Sequence, residues 1–248
     1  MVDKAPAEVW DEFSRQLDRE EESFIREFKD HLKTRWVPLE VKVWGDYACF
    51  TRPEMKVERV SYPVMTPSAA RGVLEAIFWK PEFTWDVREI HVLRPIQYAS
   101  FVRNEVSNRQ SDRAARGWSA AGSGGFYAPD DRTQRYTLAL RDVAYVIRAD
   151  MRQRSDVTDD IAKYRDQFRR RVNRGQCFST PYLGCREFSG FFSPMDGSEQ
   201  PIPLSDDLGN MLLGMEYESG SSGNAQPRFA PMQLTAGVLR VPQMEGAR

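Results

Sequence analysis

Hydrophobic positions along the chain fall into two repeating patterns. Trp10, Phe13, Leu17, Phe24, Phe28 and Leu32 recur at three- and four-residue spacing and predict one amphipathic helix over 6–33, interrupted by Glu20 and Glu21. Residues 37–44 alternate apolar and polar and predict a strand. A turn-rich loop follows, and Thr66-Pro67-Ser68 opens a helix over AARGVLEAIFW by cap and first-turn proline logic. Residues 84–98 and 133–150 predict two more strands. Ser155 or Asp156 is placed to cap a second helix reaching about Val172, and a strand is expected around CREFSGFF. Two further strands, 209–217 and 228–241, flank a turn at Gly220–Gly223.

The order β-α-β-β-α-β is that of the split βαβ unit. The expected class is therefore α+β: a ferredoxin-like (RRM-like) domain over 37–200, a small C-terminal antiparallel β appendage over 201–248, and an extra N-terminal helix over 1–36. Residues 103–132, with a Gly/Ser/Ala centre flanked by arginines, read as an insertion forming a mobile loop or hairpin tip. RNA-binding domains with this order often stack bases on aromatics of the sheet face. Trp44, Tyr136 and Tyr145 fall in its strands, and Trp44 is read as core.

Charge changes the picture once it is divided along the chain. The whole chain carries −1, which by itself argues against a strongly basic nucleic-acid binder. Residues 1–33 hold ten acids and six bases, or −4, so the remainder carries +3, and 103–174 holds 16 bases against 10 acids, or +6. Of the 35 bases, 28 are arginine, the side chain whose planar fork pairs with phosphate and stacks on bases. A solvated, arginine-rich surface accounts for the same composition. Cys49, Cys177 and Cys185 form no CxxC pair, and His31 and His91 are the only histidines, so neither a disulfide framework nor a zinc site is expected. No apolar run approaches the roughly 20 residues of a membrane span, and the acidic start lacks a signal-peptide core, so a cytoplasmic protein without membrane partner, metal or cofactor is expected.

The stretch VKVWGDYACFTRPEMKVERVSYPVMTPSAARGVLEAIFWKP resembles the N-terminal half of the Cas-five family of CRISPR-associated proteins, subtype I-C. IHVLRPIQYASFVRNEV, TLALRDVAYVIRAD and RGQCFSTPYLGCREFSGFF extend the likeness over roughly 38–217. The resemblance implies an antiviral-defence protein that cuts precursor CRISPR RNA within each repeat. It then stays on the 5′ handle of the guide inside the Cascade surveillance complex, beside backbone and large subunits and, through the complex, target DNA. The implied cut is metal-independent: the ribose 2′-OH attacks the neighbouring phosphate and leaves a 2′,3′-cyclic phosphate. Such chemistry needs a base, a cation and an acid. The family pattern of a Tyr after strand one and a later Lys-His pair maps onto Tyr47 and onto Lys163-Tyr164, so the histidine is replaced by Tyr164. An ordinary Tyr pKa of ~10 against ~6.5 for His prevents Tyr164 from copying the imidazole. Two outcomes stay open: an endoribonuclease working with Tyr47, Lys163 and Tyr164, or a non-catalytic scaffold that binds the 5′ handle. A relative by fold alone, with a protein-binding role, is a third.

Candidate RNA contacts are Arg52 and Lys56 in the loop after Tyr47; Arg103, Arg109, Arg113 and Arg116 around the insertion; Arg169, Arg170, Arg171 and Arg174 in and after the second helix; and Arg186. Consecutive arginines on a helix point different ways, so only some of these can serve one RNA, and the rest simply solvate the surface. Trp118, Phe126 and Tyr127 are candidate stacking residues in the insertion, or contacts to a neighbouring subunit.

Overall fold

The computed structural model describes residues 38–55, 57–217 and 225–242. The expected N-terminal helix, Lys56 and the Gly220–Gly223 turn lie outside the described residues. The elements run β1 (Leu39–Ala48), β2 (Arg59–Val60), α1 (Pro67–Ile77), β3 (Phe83–Val92), β4 (Tyr98–Val106), α2 (Asp112–Ala121), β5 (Arg132–Gln153), α3 (Ile161–Asn173), β6 (Phe191–Ser193), β7 (Asp206–Tyr217), β8 (Ala225–Thr235) and β9 (Val238–Arg240).

The central strands lie in the order β6-β1-β5-β3, every neighbour antiparallel. The fourth strand of the βαββαβ unit thus sits beside the first, then come the third and the second, which is the ferredoxin-like arrangement. Val41 and Val43 of β1 face inward, and α1 and α3 cover them. α1 turns Ala70, Val73, Leu74 and Ile77 into the core, and α3 turns Tyr164, Phe168 and Val172, each set at three- or four-residue spacing. Trp85 of β3 joins the layers: its indole N–H donates to the Phe78 carbonyl at 2.8 Å and its ring meets Phe168 edge-on at 4.8 Å.

β5 is 22 residues long because it serves two ladders. Its second half pairs with β1 and β3 and is mostly buried; its first half pairs with β4 as a ribbon that leaves the sheet. The change falls at Asp142, with φ +51, and this carboxylate pairs with Arg94 across the junction.

Several local expectations are corrected. The single strand at 84–98 is two, because Pro95 has no N–H for the ladder and the chain shifts to the other half of β5. The insertion takes the hairpin form of its two alternatives, with a helix at the tip: β4 supplies its first residues and pairs with β5, and α2 between them is capped by Ser111, whose Oγ accepts from Ala114 N at 3.1 Å. α3 starts at Ile161, capped by Asp160, whose Oδ1 accepts from Ala162 N at 2.9 Å, and not at Ser155 or Asp156. The strand around CREFSGFF shrinks to β6.

β7, β8 and β9 extend the same sheet through β9, which pairs with β3. Leu208, Met211, Leu213, Met232 and Leu234 share one core with α1. The opposite face of the central sheet is polar. Glu40, Arg148, Glu89, His91 and Arg240 form a ladder of ion pairs there, with Arg148 Nε to Glu40 Oε1 at 2.8 Å. Trp44 lies on this face, half-buried and stacked on Phe191 at 6.0 Å, so it is not core: the pleat that turns Val41 and Val43 in turns Lys42 and Trp44 out. Tyr145 is the buried aromatic, and Tyr136 is exposed on the ribbon.

Candidate functional site

Lys163 and Tyr164 sit on the first turn of α3, and both converge on Asp159. Lys163 Nζ lies 2.5 Å from Asp159 Oδ2, and the Tyr164 hydroxyl donates to the same oxygen at 2.9 Å. The Tyr164 ring is only 2% exposed and packs on Phe83 at 5.6 Å. The carboxylate raises the Lys163 pKa, while Lys163 and Tyr164 hold that of Asp159 below its ordinary value. Desolvation and the Asp159 carboxylate push the Tyr164 phenol up. At neutral pH the cluster therefore presents a fixed ammonium, a protonated phenol and a carboxylate. It can stabilise charge on a phosphorane and donate a proton, but the phenol is no base.

The segment joining α1 to β3 runs along this helix. Arg171 donates to the Ile77 carbonyl at 2.8 Å and its guanidinium covers the Phe78 ring, while Phe83 reaches Tyr164. Trp79 and Lys80 lie on this segment and are exposed, and Phe178 beside it is 81% exposed, its N–H bonded to the Ala76 carbonyl.

Tyr47 is not part of this cluster. It pairs with Arg141 near the start of β5's sheet half, whereas Phe83, the neighbour of Tyr164, pairs with Gln153 at the strand's end. Twelve residues of β5 separate these points, which at ~3.3 Å per residue is about 40 Å. The fold therefore does not bring Tyr47 together with Lys163 and Tyr164: strand pairing puts Tyr47 toward the opposite end of the sheet half of β5 from Phe83. There Tyr47 is 44% exposed and touches Phe101 and Phe188. Cys185, packed with Cys49 against Phe101 and Phe188, has its thiol pKa lowered by hydrogen bonding with Cys49 and by the Arg59 guanidinium 3.4 Å from its sulfur.

The candidate arginines divide by partner. Arg103 is mostly buried and bonded to Glu187 and to Thr137 Oγ1, so its charge is used inside the fold. Arg171 is likewise tied to α1. Arg52 lies over the Tyr62 ring at 4.6 Å and pairs loosely with Glu54, and Arg169 pairs with Asp166 at 2.9 Å. Arg109, Arg113, Arg116, Arg170, Arg174 and Arg186 are exposed and make no side-chain ion pair with another described residue. Arg109, Arg113 and Arg116 occupy the ribbon tip, and Arg170 and Arg174 the end of α3, so the structure spreads them along the molecule. In the insertion, Tyr127 is exposed, while Trp118 and Phe126 are half-buried.

Sequence reading missed Asp159, whose signal is its place four residues before Lys163, one helical turn away. It also missed Trp79 and Phe178, because an aromatic next to a helix end reads as core. His91, the one histidine among the described residues, bonds to Glu89 at 2.9 Å on the polar sheet face and supplies no imidazole here. Among the described residues no three His, Cys, Asp or Glu side chains converge as metal ligands, and no helix is long and apolar enough to cross a membrane.

Comparison with known proteins agrees with this architecture. A chain titled "Crystal Structure of CRISPR-associated Protein" superposes with a TM-score of 0.59 at 23% identity, covering 84% of this chain and 92% of that one. A Thermus thermophilus protein named CRISPR pre-crRNA endoribonuclease Cas5d is 48% identical over 219 residues, 82% of this chain and 91% of its own. A Mannheimia succiniciproducens protein of the same name is 44% identical over 217 residues, 82% of this chain and 94% of its own. The family model described as CRISPR-associated protein (Cas_Cas5) matches residues 38–242, and the chain belongs to that Cas5 family.

Proposed function

We propose that this protein is a precursor-CRISPR-RNA endoribonuclease that keeps hold of the 5′ handle of its product as a subunit of a Cascade-type surveillance complex. The observation that carries this reading is the 48% identity, across four-fifths of the chain, to a protein bearing that enzymatic name. The cut falls at the Asp159–Lys163–Tyr164 corner. Lys163 neutralises charge on the phosphorane as the 2′-OH attacks, and Asp159 fixes the ammonium in place. Asp159 takes the 2′-OH proton, and Tyr164 hands its own to the leaving 5′ oxygen, the phenolate being reprotonated from Asp159 across their hydrogen bond. Trp79 and Phe178 offer rings on which flanking bases stack, and Arg170 and Arg174 meet phosphates. Tyr47 belongs to a separate contact about 40 Å away along the strands.

A second reading has a specific observation behind it: the Tyr164 phenol is occupied by Asp159 and, among the described residues, no imidazole stands beside Lys163. In that reading the chain binds the handle without cutting it, among backbone and large subunits.

End-labelled repeat RNA incubated with the protein in EDTA separates the two. Cleavage is expected to leave a 2′,3′-cyclic phosphate. Lys163→Ala is expected to slow it by about 10²–10³ with binding nearly unchanged, and Tyr47→Phe is expected to leave the cleavage rate alone. Tight binding with no cut RNA selects the scaffold. Neither cleavage nor specific binding at physiological salt overturns both readings.

A further inference from the structure

A pocket of about 290 Å³ opens between the start of α1, the loop after β1, the loop before β6, and β7, and none of its lining residues belongs to the Lys163 corner. Phe50, Tyr62, Leu212 and Tyr182 line it; Phe50 and Tyr62 are buried, and Tyr182 has 44% of its surface exposed. Thr51, Thr66 and Ser68 also line it, the Thr51 hydroxyl lying 3.6 Å from the Cys49 sulfur. Thr66 Oγ1 accepts from Ala69 N at 3.2 Å, which leaves its proton free to donate, and the Ser68 and Tyr182 hydroxyls meet no side-chain partner among the described residues. No carboxylate lines the pocket, and the first turn of α1 contains no acid. Arg52 lies over Tyr62, and the exposed Arg186 follows Gly184, another lining residue, by two positions. The larger groove on the polar sheet face, about 510 Å³, differs in kind: Asp196 and Glu199 line it and hold Lys42, so it repels a phosphate chain.

An aromatic lining, hydroxyls able to both donate and accept, no carboxylate in the lining and the Arg52 guanidinium over Tyr62 together fit a neutral planar base whose phosphates stay outside. We propose that this pocket takes one nucleotide of the bound RNA, turned out of its stack, with the base against Tyr182. The proposal rests on the RNA-binding reading above and assigns that reading a base-specific contact outside the cleavage corner.

Gly72 gives a test. Gly72 lines the pocket and a Cβ there meets nothing within 4 Å, so Gly72→Leu adds bulk at the pocket without a clash at Cβ and improves helix propensity. Fluorescence anisotropy would measure Kd for repeat RNAs carrying a single abasic site at each position in turn. For intact RNA, Gly72→Leu and Tyr182→Ala are each expected to raise Kd at least fivefold, the low end of ~1–3 kcal/mol per stacked base. One abasic position is expected to cost the wild type a similar factor and to cost Tyr182→Ala almost nothing more. Equal abasic penalties in wild type and Tyr182→Ala at every position overturn the proposal, as does wild-type affinity in Gly72→Leu. If the wild type shows no preference for repeat RNA over unrelated RNA, the RNA-binding reading itself has failed, and the pocket assignment falls with it.

Discussion

Gly184→Ala tests the way the loop before β6 is fastened to the end of β1. Gly184 has φ +86, and a Cβ built on it would lie 2.1 Å from the Cys49 carbonyl oxygen and 2.6 Å from its carbon. The two segments are joined there by the Cys49 N–H to Leu183 carbonyl hydrogen bond at 3.0 Å. An alanine must therefore adopt a left-handed backbone, costing about 1 kcal/mol. It must also push the loop off β1 by roughly an ångström, which breaks a buried hydrogen bond at about 1–3 kcal/mol more. The sum, about 3 kcal/mol, corresponds to a fall in Tm of roughly 6–12 °C for a chain of this size. Gly175, just past the end of α3, supplies the control. Its φ is +62 but nothing lies within 4 Å of a Cβ, so Gly175→Ala carries the conformational cost alone, roughly 2–4 °C. Thermal unfolding followed by circular dichroism, with urea titration at 25 °C as a check, measures both. A Gly184→Ala variant no less stable than Gly175→Ala would refute the close approach. Because Gly184 also lines the nucleotide pocket, its variant is expected to lose RNA affinity, and the Gly175 variant is not.

Two other outcomes follow from side-chain environments. The Asp196 carboxyl is held down to about 2 by the Ser198 hydroxyl and backbone N–H and then by Lys42, so Ser198→Ala is expected to bring its NMR titration back toward 3.8. Since the folded-state value lies below the unfolded one, Asp196 supports the fold above about pH 4, and that support is lost as the pH falls through about 2; an unmoved midpoint in Ser198→Ala contradicts this. Cys177 is exposed while Cys49 and Cys185 are buried, so a chromogenic disulfide reagent is expected to label one thiol rapidly in the native protein and two more on unfolding. Labelling of Cys185 at the rate of Cys177 would mean that its lowered pKa outweighs its burial.

Some features were legible because they are local. The α1 boundary follows from Thr66 and Pro67, and the α3 core face from the spacing of Tyr164, Phe168 and Val172. The βαββαβ order emerged from hydrophobic periodicity even though the strand at 84–98 was undivided. The start of α3 was harder, because Ser155, Asp156 and Asp160 all offer cap chemistry and only the position of the docked apolar face selects Asp160. The charge segregation was likewise visible, but not which arginines are free: Arg103 and Arg109 look alike until Glu187, 84 residues from Arg103 in sequence, closes on one of them.

The sequence by itself determined the class of fold, the family resemblance and the chemical types available, since periodicity, capping and motif strings are properties of neighbouring residues. Only the tertiary structure decided which of those residues share a space. Antiparallel pairing put Tyr47 opposite Arg141 and Phe83 opposite Gln153, and so parted Tyr47 from Lys163. Strand register couples residues as distant in sequence as Lys42 and Ser193 through backbone hydrogen bonds and the pleat. No stretch of sequence around Tyr47 or Lys163 records that register.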